Sequence, residues 1–264
     1  MGLIQMAYNP WGQEVPIHIA WYLLWVALSA GLAFLVVHAL WLRLRAKPEA
    51  QAAVVPELAA CVPPKVLRHS LAARTFHWLM AAAMLTLLVT AFLPKAGVLI
   101  AWVNLHWMAG IVLILLIAFH IGHAVLAMDF WSIWPNRADL AELRGPASAK
   151  PGKYPLGNKL YHLAIVACGL TMVLTGALLL SRVRTPFFPR DPYLFADMTW
   201  GVIYLLHGFA GVGLVALVIV HVYFALRPEK LPVTKAMIYG TMDREYVLSH
   251  HDPRQWGCGS AAGK

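Results

Sequence analysis

The chain is short of charge. Of its 264 residues only 12% are Asp, Glu, Lys or Arg, about half the share of a soluble domain. Acidic residues number only twelve, against 21 Lys and Arg. Cysteine is scarce too. Cys61, Cys168 and Cys258 stand far apart, and none forms CxxC or CxxCH. This excludes a covalently attached c-type haem and a cysteine-held iron–sulfur cluster in this chain. Residues 1–42 contain no Lys or Arg. A cleaved signal peptide begins with such charge and ends at a small-residue site, and this first apolar stretch has neither. It reads as a retained helix.

What the chain has instead is apolar length. It is 60% hydrophobic, with a mean hydropathy of +0.65. A membrane helix needs roughly 20 apolar residues to cross about 30 Å of hydrocarbon. Five stretches satisfy this: 17–42, 70–93, 101–127, 158–181 and 200–226. The expected fold is therefore an all-α integral membrane protein with no separate soluble domain.

The net charge of +9 does not point to nucleic acid, because it follows the loops. Segments 43–76, 128–160 and 227–264 hold 17 of the 21 basic residues, and the alternate segments hold 4. Basic loops stay on the cytoplasmic side. The reading is a multi-pass bacterial inner-membrane protein in contact with lipid, its N-terminus periplasmic and its C-terminus cytoplasmic.

Between the apolar stretches lie two kinds of connection. The turn after the second stretch is tiny, from Pro94 to about Val98, so stretches two and three form a tight antiparallel pair. The segment 128–157 carries Trp131 and Trp134, which suit the headgroup level. The outer loop 182–198 is long enough to touch a partner. Its Arg182, Arg184 and Arg190 suit acidic groups there, or simply an interface. The tail after residue 227 reads as one short helix followed by disorder.

The twelve histidines carry the chemistry. An ionisable side chain inside an apolar stretch is expensive and marks function by default. The last stretch contains "HGFAGVGLVALVIVH", with His207 and His221 fourteen residues apart. Fourteen helical residues span about 21 Å and turn through about 1400°, close to a whole number of turns. The two imidazoles share one face, one near each membrane surface. The third stretch repeats the pattern in "HWMAGIVLILLIAFH", with His106 and His120. Gly110 follows His106 by four residues, as Gly211 follows His207. Gly208, Gly211 and Gly213 thin the last helix, which suits the close approach of a flat macrocycle.

Two facing imidazoles at one depth hold a b-type haem as a six-coordinate, bis-His electron-transfer centre. The spacing suits two such haems. The outer pair is His106 with His207. For the inner haem His221 has two possible partners, His120 or His77. His123 and His162, near the inner surface, suit a haem propionate or a quinone. His18 and His38 read as interfacial residues of the first helix. His69, His250 and His251 read as solvated or in contact with a partner. Metal-handling proteins favour histidines three or four apart, and only His120 and His123 have that spacing.

Five pieces occur in order: "RTFHWLMAAAMLTLLVTAF", "NLHWMAGIVLILL", "GKYPLGNKLYHLAIVACGLTMVLTGALLL", "LLHGFAGVGLVALVIVHVYFAL" and "KAMIYGTMDREYVLSHHDPRQW". Over about residues 68–256 the chain resembles the cytochrome b (gamma) subunit of respiratory formate dehydrogenases. The wider group includes the cytochrome b subunits of nickel–iron hydrogenases and thiosulfate reductases. The resemblance implies a four-helix di-haem domain over 68–228, preceded by an extra transmembrane helix in 1–45 and followed by a cytoplasmic tail, 229–264. It implies His77 and His221 as inner-haem ligands and His106 and His207 as outer ones.

It also implies partners: a periplasmic iron–sulfur subunit, a molybdenum or tungsten catalytic subunit, and menaquinone or ubiquinone. The family's quinone segment, typically KYNxGQK, reads "KYPLGNK" here, with Pro155 and Asn158 at the changed positions. Tyr154, Asn158, Lys159 and His162 remain candidates there, with His120 and His123 as further ones. The alternatives are a stand-alone quinone oxidoreductase of the cytochrome b561 type, or the cytochrome b subunit of a hydrogenase or thiosulfate reductase.

Overall fold

The computed structural model describes residues 2–45, 60–137, 139 and 151–252. It is dominated by helices: α1 (Tyr22–Arg45), α2 (Leu71–Phe92), α3 (Trp102–Ala127), α4 (Leu156–Leu180) and α5 (Asp197–Leu226). Among the described residues these are the five helices long and apolar enough to cross a membrane. Two short helices follow, α6 (Leu231–Tyr239) and α7 (Arg244–His250). The described residues also form two small ribbons. Strand β1 (Ile4–Tyr8) pairs with β2 (Glu14–Ile19), and β3 (Lys65–Leu67) pairs with β4 (Thr241–Asp243), both antiparallel.

Local chemistry explains the boundaries. The Ser70 hydroxyl caps α2 by accepting from the Ala73 amide, meeting one of the donors a helix start leaves unpaired. At the far end of α2 a 3-10 turn, Leu93–Ala96, contains Pro94, and Gly97 closes it with φ 86°. No side chain with a Cβ adopts that conformation easily. Pro155 precedes α4, and its carbonyl accepts from the amides of Asn158 and Lys159.

The chain divides into two compact units. The first, the hairpin unit, comprises Met1–Ala39, Met80–Ala118 and Ala164–Val220. It overturns the expectation that a helix begins at residue 17. Residues 14–19 form β2, and α1 begins only at Tyr22. His18 is therefore a strand residue, its Nδ1 2.7 Å from the Ile19 carbonyl oxygen. The reason lies in "NPWGQEVPIHI". Asn9 accepts from the amides of Trp11 and Gln13, Gly12 takes φ 76°, and Val15, Pro16 and Ile19 are buried. That is turn chemistry followed by a short strand anchored by its buried residues.

The ribbon and α1 both rest on α5. A Cβ at Gly201 would overlap the Pro16 carbonyl and ring, and one at Gly208 would press on Ile19. A Cβ at Gly31 of α1 would lie 3.2 Å from Ile219. Gly208 therefore serves the ribbon, not a macrocycle. Gly213 likewise faces the Cys168 sulfur, so three of the four glycines on this helix, Gly201, Gly208 and Gly213, are packing positions.

The second, the tail unit, comprises the described residues of Leu40–Leu79, Phe119–Leu163 and His221–Lys264. Its apolar centre is Val62, Val66, Ala236, Met242, Val247 and Leu248. The tail therefore holds two short helices and a strand, not the single helix expected, because β4 is completed by β3 from the linker far upstream. Gly240 makes the bend, with φ 91°, and its carbonyl accepts from the amides of Arg68 and His69. The expected disorder at the extreme C-terminus lies outside the described residues.

His251 also departs from expectation. It is buried, 5% exposed, and its Nδ1–H donates to the Gly152 carbonyl at 2.8 Å. Burial drives its pKa down to about 4, with Arg68, His250 and Lys230 adding to the effect and the Gly152 bond opposing it. His69 is pushed down to about 4 as well, by burial first and then by Arg68, Lys153, His77 and Arg74. Neither is a solvated histidine. His250 lies nearer the surface, stacked on Tyr246 with ring centres 4.1 Å apart.

Candidate functional site

Two pairs of histidines face each other, one within each unit. In the hairpin unit His106 of α3 and His207 of α5 have ring centres 6.3 Å apart. In the tail unit His77 of α2 and His221 of α5 have ring centres 6.2 Å apart. Two imidazoles bonded on opposite sides of one metal, each at a bond of about 2 Å, have ring centres about 6 Å apart. The donor set and the separation fit an iron held between two neutral imidazoles in both places.

The surroundings fit a flat apolar group as well. A Cβ at Gly110, one turn beyond His106, would meet nothing within 4 Å. At Gly211, one turn beyond His207, it would meet only Phe92 and Met172 at ordinary contact distance. The His207 ring lies beside Gly176 of α4, where a Cβ would be 3.4 Å from Cε1.

The hairpin-unit pair has polar partners that sequence reading missed. The His106 Nδ1 lies 2.8 Å from the Thr90 hydroxyl. The His207 Nδ1 lies 2.8 Å from the Thr175 hydroxyl. Both threonines are buried, at 2% and 5% exposure. A signal was present: α2 has Thr86 and Thr90, and α4 has Thr171 and Thr175, each pair four residues apart. The tail-unit pair has aromatic neighbours instead. His77 meets Trp78 edge-on at 5.2 Å, and His221 stacks on Tyr161 at 5.7 Å.

The remaining candidates separate. His120 stacks flat on Phe76, ring centres 4.4 Å apart. His123 stacks on Phe119 at 5.6 Å. Lys159 is buried in an ion pair with Asp139, Nζ to Oδ1 2.8 Å. Tyr154 lies beneath the guanidinium of Arg68 and the ammonium of Lys153. Asn158 is exposed. His162 meets Trp134 edge-on at 6.1 Å, and its Nδ1 and the Trp134 indole nitrogen are buried without a hydrogen-bond partner. Among the described residues no group of three or more His, Cys, Asp or Glu gathers to hold a metal ion.

In the loop 182–198 Arg182 is held over the rings of Trp200 and Tyr204, at 5.0 and 5.6 Å. Arg184 and Arg190 are exposed.

Residues 68–240 match the family model described as prokaryotic cytochrome b561. The chain belongs to that family. It is thus a multi-pass membrane cytochrome b, an electron-transfer component that uses b-type haem. No curated protein matches the chain closely enough to count as a relative. The matched span covers all four paired histidines, both threonines and the segment around Lys159. It excludes α1 and the N-terminal ribbon.

Proposed function

We propose that the chain is the membrane-anchoring di-haem cytochrome b subunit of a respiratory oxidoreductase of the formate dehydrogenase type. It takes electrons from a periplasmic iron–sulfur subunit, itself fed by a molybdenum or tungsten catalytic subunit, and delivers them to menaquinone or ubiquinone near the cytoplasmic side. The observation that carries this reading is the two imidazole pairs, His106/His207 and His77/His221, at 6.3 and 6.2 Å. Each pair would hold one b haem.

The haems, when bound, supply one-electron redox chemistry. The protein supplies ligation, orientation and an apolar surround. Neutral imidazole is the ligating form. Held by two histidines, each haem would have no coordination site open to a substrate, which suits electron transfer rather than oxygen chemistry. His77, and not His120, is the inner ligand in this reading. It faces His221, while His120 is stacked on Phe76.

Quinone would bind beside α4. His162 and Trp134 present buried nitrogens without partners, which suit a quinone oxygen. The Lys159–Asp139 pair at the start of α4 fixes the helix end beside them. Tyr154, Asn158, His120 and His123 lie on the same unit and complete the candidate set. Protons for the quinol come from the cytoplasm. Carrying an electron inward against a membrane potential costs about 2.3 kcal/mol per 100 mV, so a strongly reducing donor such as formate conserves energy as membrane potential.

The orientation follows from the basic loops. The face with Arg184 and Arg190 is periplasmic and would receive the iron–sulfur subunit. A second reading, a stand-alone cytochrome b561-type quinone oxidoreductase, has the family match in its favour. Gentle solubilisation of native membranes and affinity capture of this chain decides between them. Co-purification of an iron–sulfur and a molybdenum- or tungsten-containing subunit, with formate bleaching the oxidised haem spectrum, supports the first. Isolation as a partner-free cytochrome that quinol reduces supports the second.

A further inference from the structure

The Thr90 and Thr175 hydroxyls have one proton each, and each reaches two carbonyl oxygens of its own helix, the farther being Leu87 at 3.1 Å and Met172 at 3.4 Å, and one imidazole nitrogen. Thr90 Oγ1 is 2.7 Å from the Thr86 carbonyl oxygen and 2.8 Å from His106 Nδ1. Thr175 Oγ1 is 2.6 Å from the Thr171 carbonyl oxygen and 2.8 Å from His207 Nδ1. A carbonyl oxygen only accepts, whereas an imidazole nitrogen donates or accepts according to its tautomer. The one arrangement that satisfies both contacts has the hydroxyl donating back along its own helix. The ring must then donate Nδ1–H to the hydroxyl oxygen.

Both rings are held alike. The proton sits on Nδ1, and the Nε2 lone pair is left free. This is the tautomer a metal-bound imidazole needs, and a hydrogen bond from its other nitrogen raises the basicity of the ligand. A more basic ligand stabilises the more positive, ferric iron and lowers its reduction potential. The tail-unit pair has Trp78 and Tyr161 as ring neighbours, and among the described residues no threonine contact of this kind is seen there.

We propose that Thr90 and Thr175 are positioning residues. They lock His106 and His207 in the Nδ1–H tautomer, aim both Nε2 atoms at one iron, and hold the reduction potential of that haem low relative to the other. This rests on the assignment of His106 and His207 as haem ligands. It gives the two haems an ordered pair of potentials, with the outer one the stronger reductant, as inward electron flow requires.

The test is a spectroelectrochemical titration of purified wild type, Thr90→Val, Thr175→Val and the double variant, with Thr90→Ser and Thr175→Ser beside them. Valine keeps the shape and removes the hydroxyl, and serine keeps the hydroxyl. Each valine change is expected to raise one of the two midpoints, with the ratio of reduced to oxidised haem at a fixed potential rising about tenfold, or about 59 mV for one electron. The other midpoint stays in place, and the serine variants follow wild type. Two haems with unmoved midpoints in the valine variants would overturn the inference and leave the di-haem reading standing. Equal movement of both midpoints would overturn it too. So would haem loss in the valine variants that serine does not restore. Wild type without haem would remove the ligand assignment and the inference together.

Discussion

Lys159 and Asp139 form a buried ion pair, the ammonium 2.8 Å from one carboxylate oxygen and 3.0 Å from the other. Twenty residues separate them, so the pair ties the start of α4 to the segment before it. The Asn136 amide also donates to the same carboxylate, at 2.6 Å. Removing one partner of a buried pair leaves the other charge uncompensated, at a cost of about 3–5 kcal/mol. Asp139→Asn is therefore expected to lower the thermal midpoint of the solubilised protein sharply. Asp139→Asn with Lys159→Met should recover most of the loss, because an apolar replacement of both partners is often close to neutral. A single variant as stable as wild type would contradict a structural role for the pair.

Gly201 is where the N-terminal ribbon meets α5. Gly201→Ala puts a methyl group into the Pro16 carbonyl and ring, and overpacking of this kind costs about 1–3 kcal/mol. The backbone there cannot yield like a flexible side chain. The ribbon should be displaced, and residues 2–19 should become open to protease in detergent. Cleavage as slow as in wild type would show that the ribbon is not seated there.

The tail unit should loosen in acid. His251 and His69 have their pKa values depressed to about 4 from 6.5. Between those values the unfolded tail binds protons that the folded tail does not, so stability falls as pH falls from about 6.5 to about 4. Above that window the contribution is fully present. For the buried His251 it amounts to about 3 kcal/mol at most. Hydrogen exchange of the amides in β4 and α7 should quicken as pH is lowered through this window, after correction for intrinsic rates. His69→Gln with His251→Gln should remove most of that dependence. A flat profile in wild type would contradict it.

The apolar helices were legible in the sequence because length and hydropathy decide them. Their ends fell within a few residues, except at the N-terminus. There a hydropathy window runs smoothly from "VPIHIA" into "WYLLWV" and cannot tell an apolar strand from a helix. The β3–β4 ribbon was illegible for another reason. Its strands are three residues long, and Val66 and Met242 pair across about 176 residues of chain, which no local pattern reports. Histidine spacing marked His106, His120, His207 and His221, and depth left His77 and His120 as alternative partners of His221, with the resemblance favouring His77. Helix packing, which puts Phe76 against His120, is what separates them. Thr90 and Thr175 went unread because threonine in a membrane helix ordinarily bonds to its own backbone, as both do, and only the fold adds the imidazole.

A pyridine haemochrome assay with a redox titration on wild type, His77→Ala and His120→Ala is the direct test of the two histidine pairs. Two b haems per chain and two midpoints are expected in wild type. One haem and one midpoint should be lost in His77→Ala, and both kept in His120→Ala. Loss in His120→Ala with retention in His77→Ala would contradict the inner ligand set. A wild-type protein without haem would contradict the account as a whole.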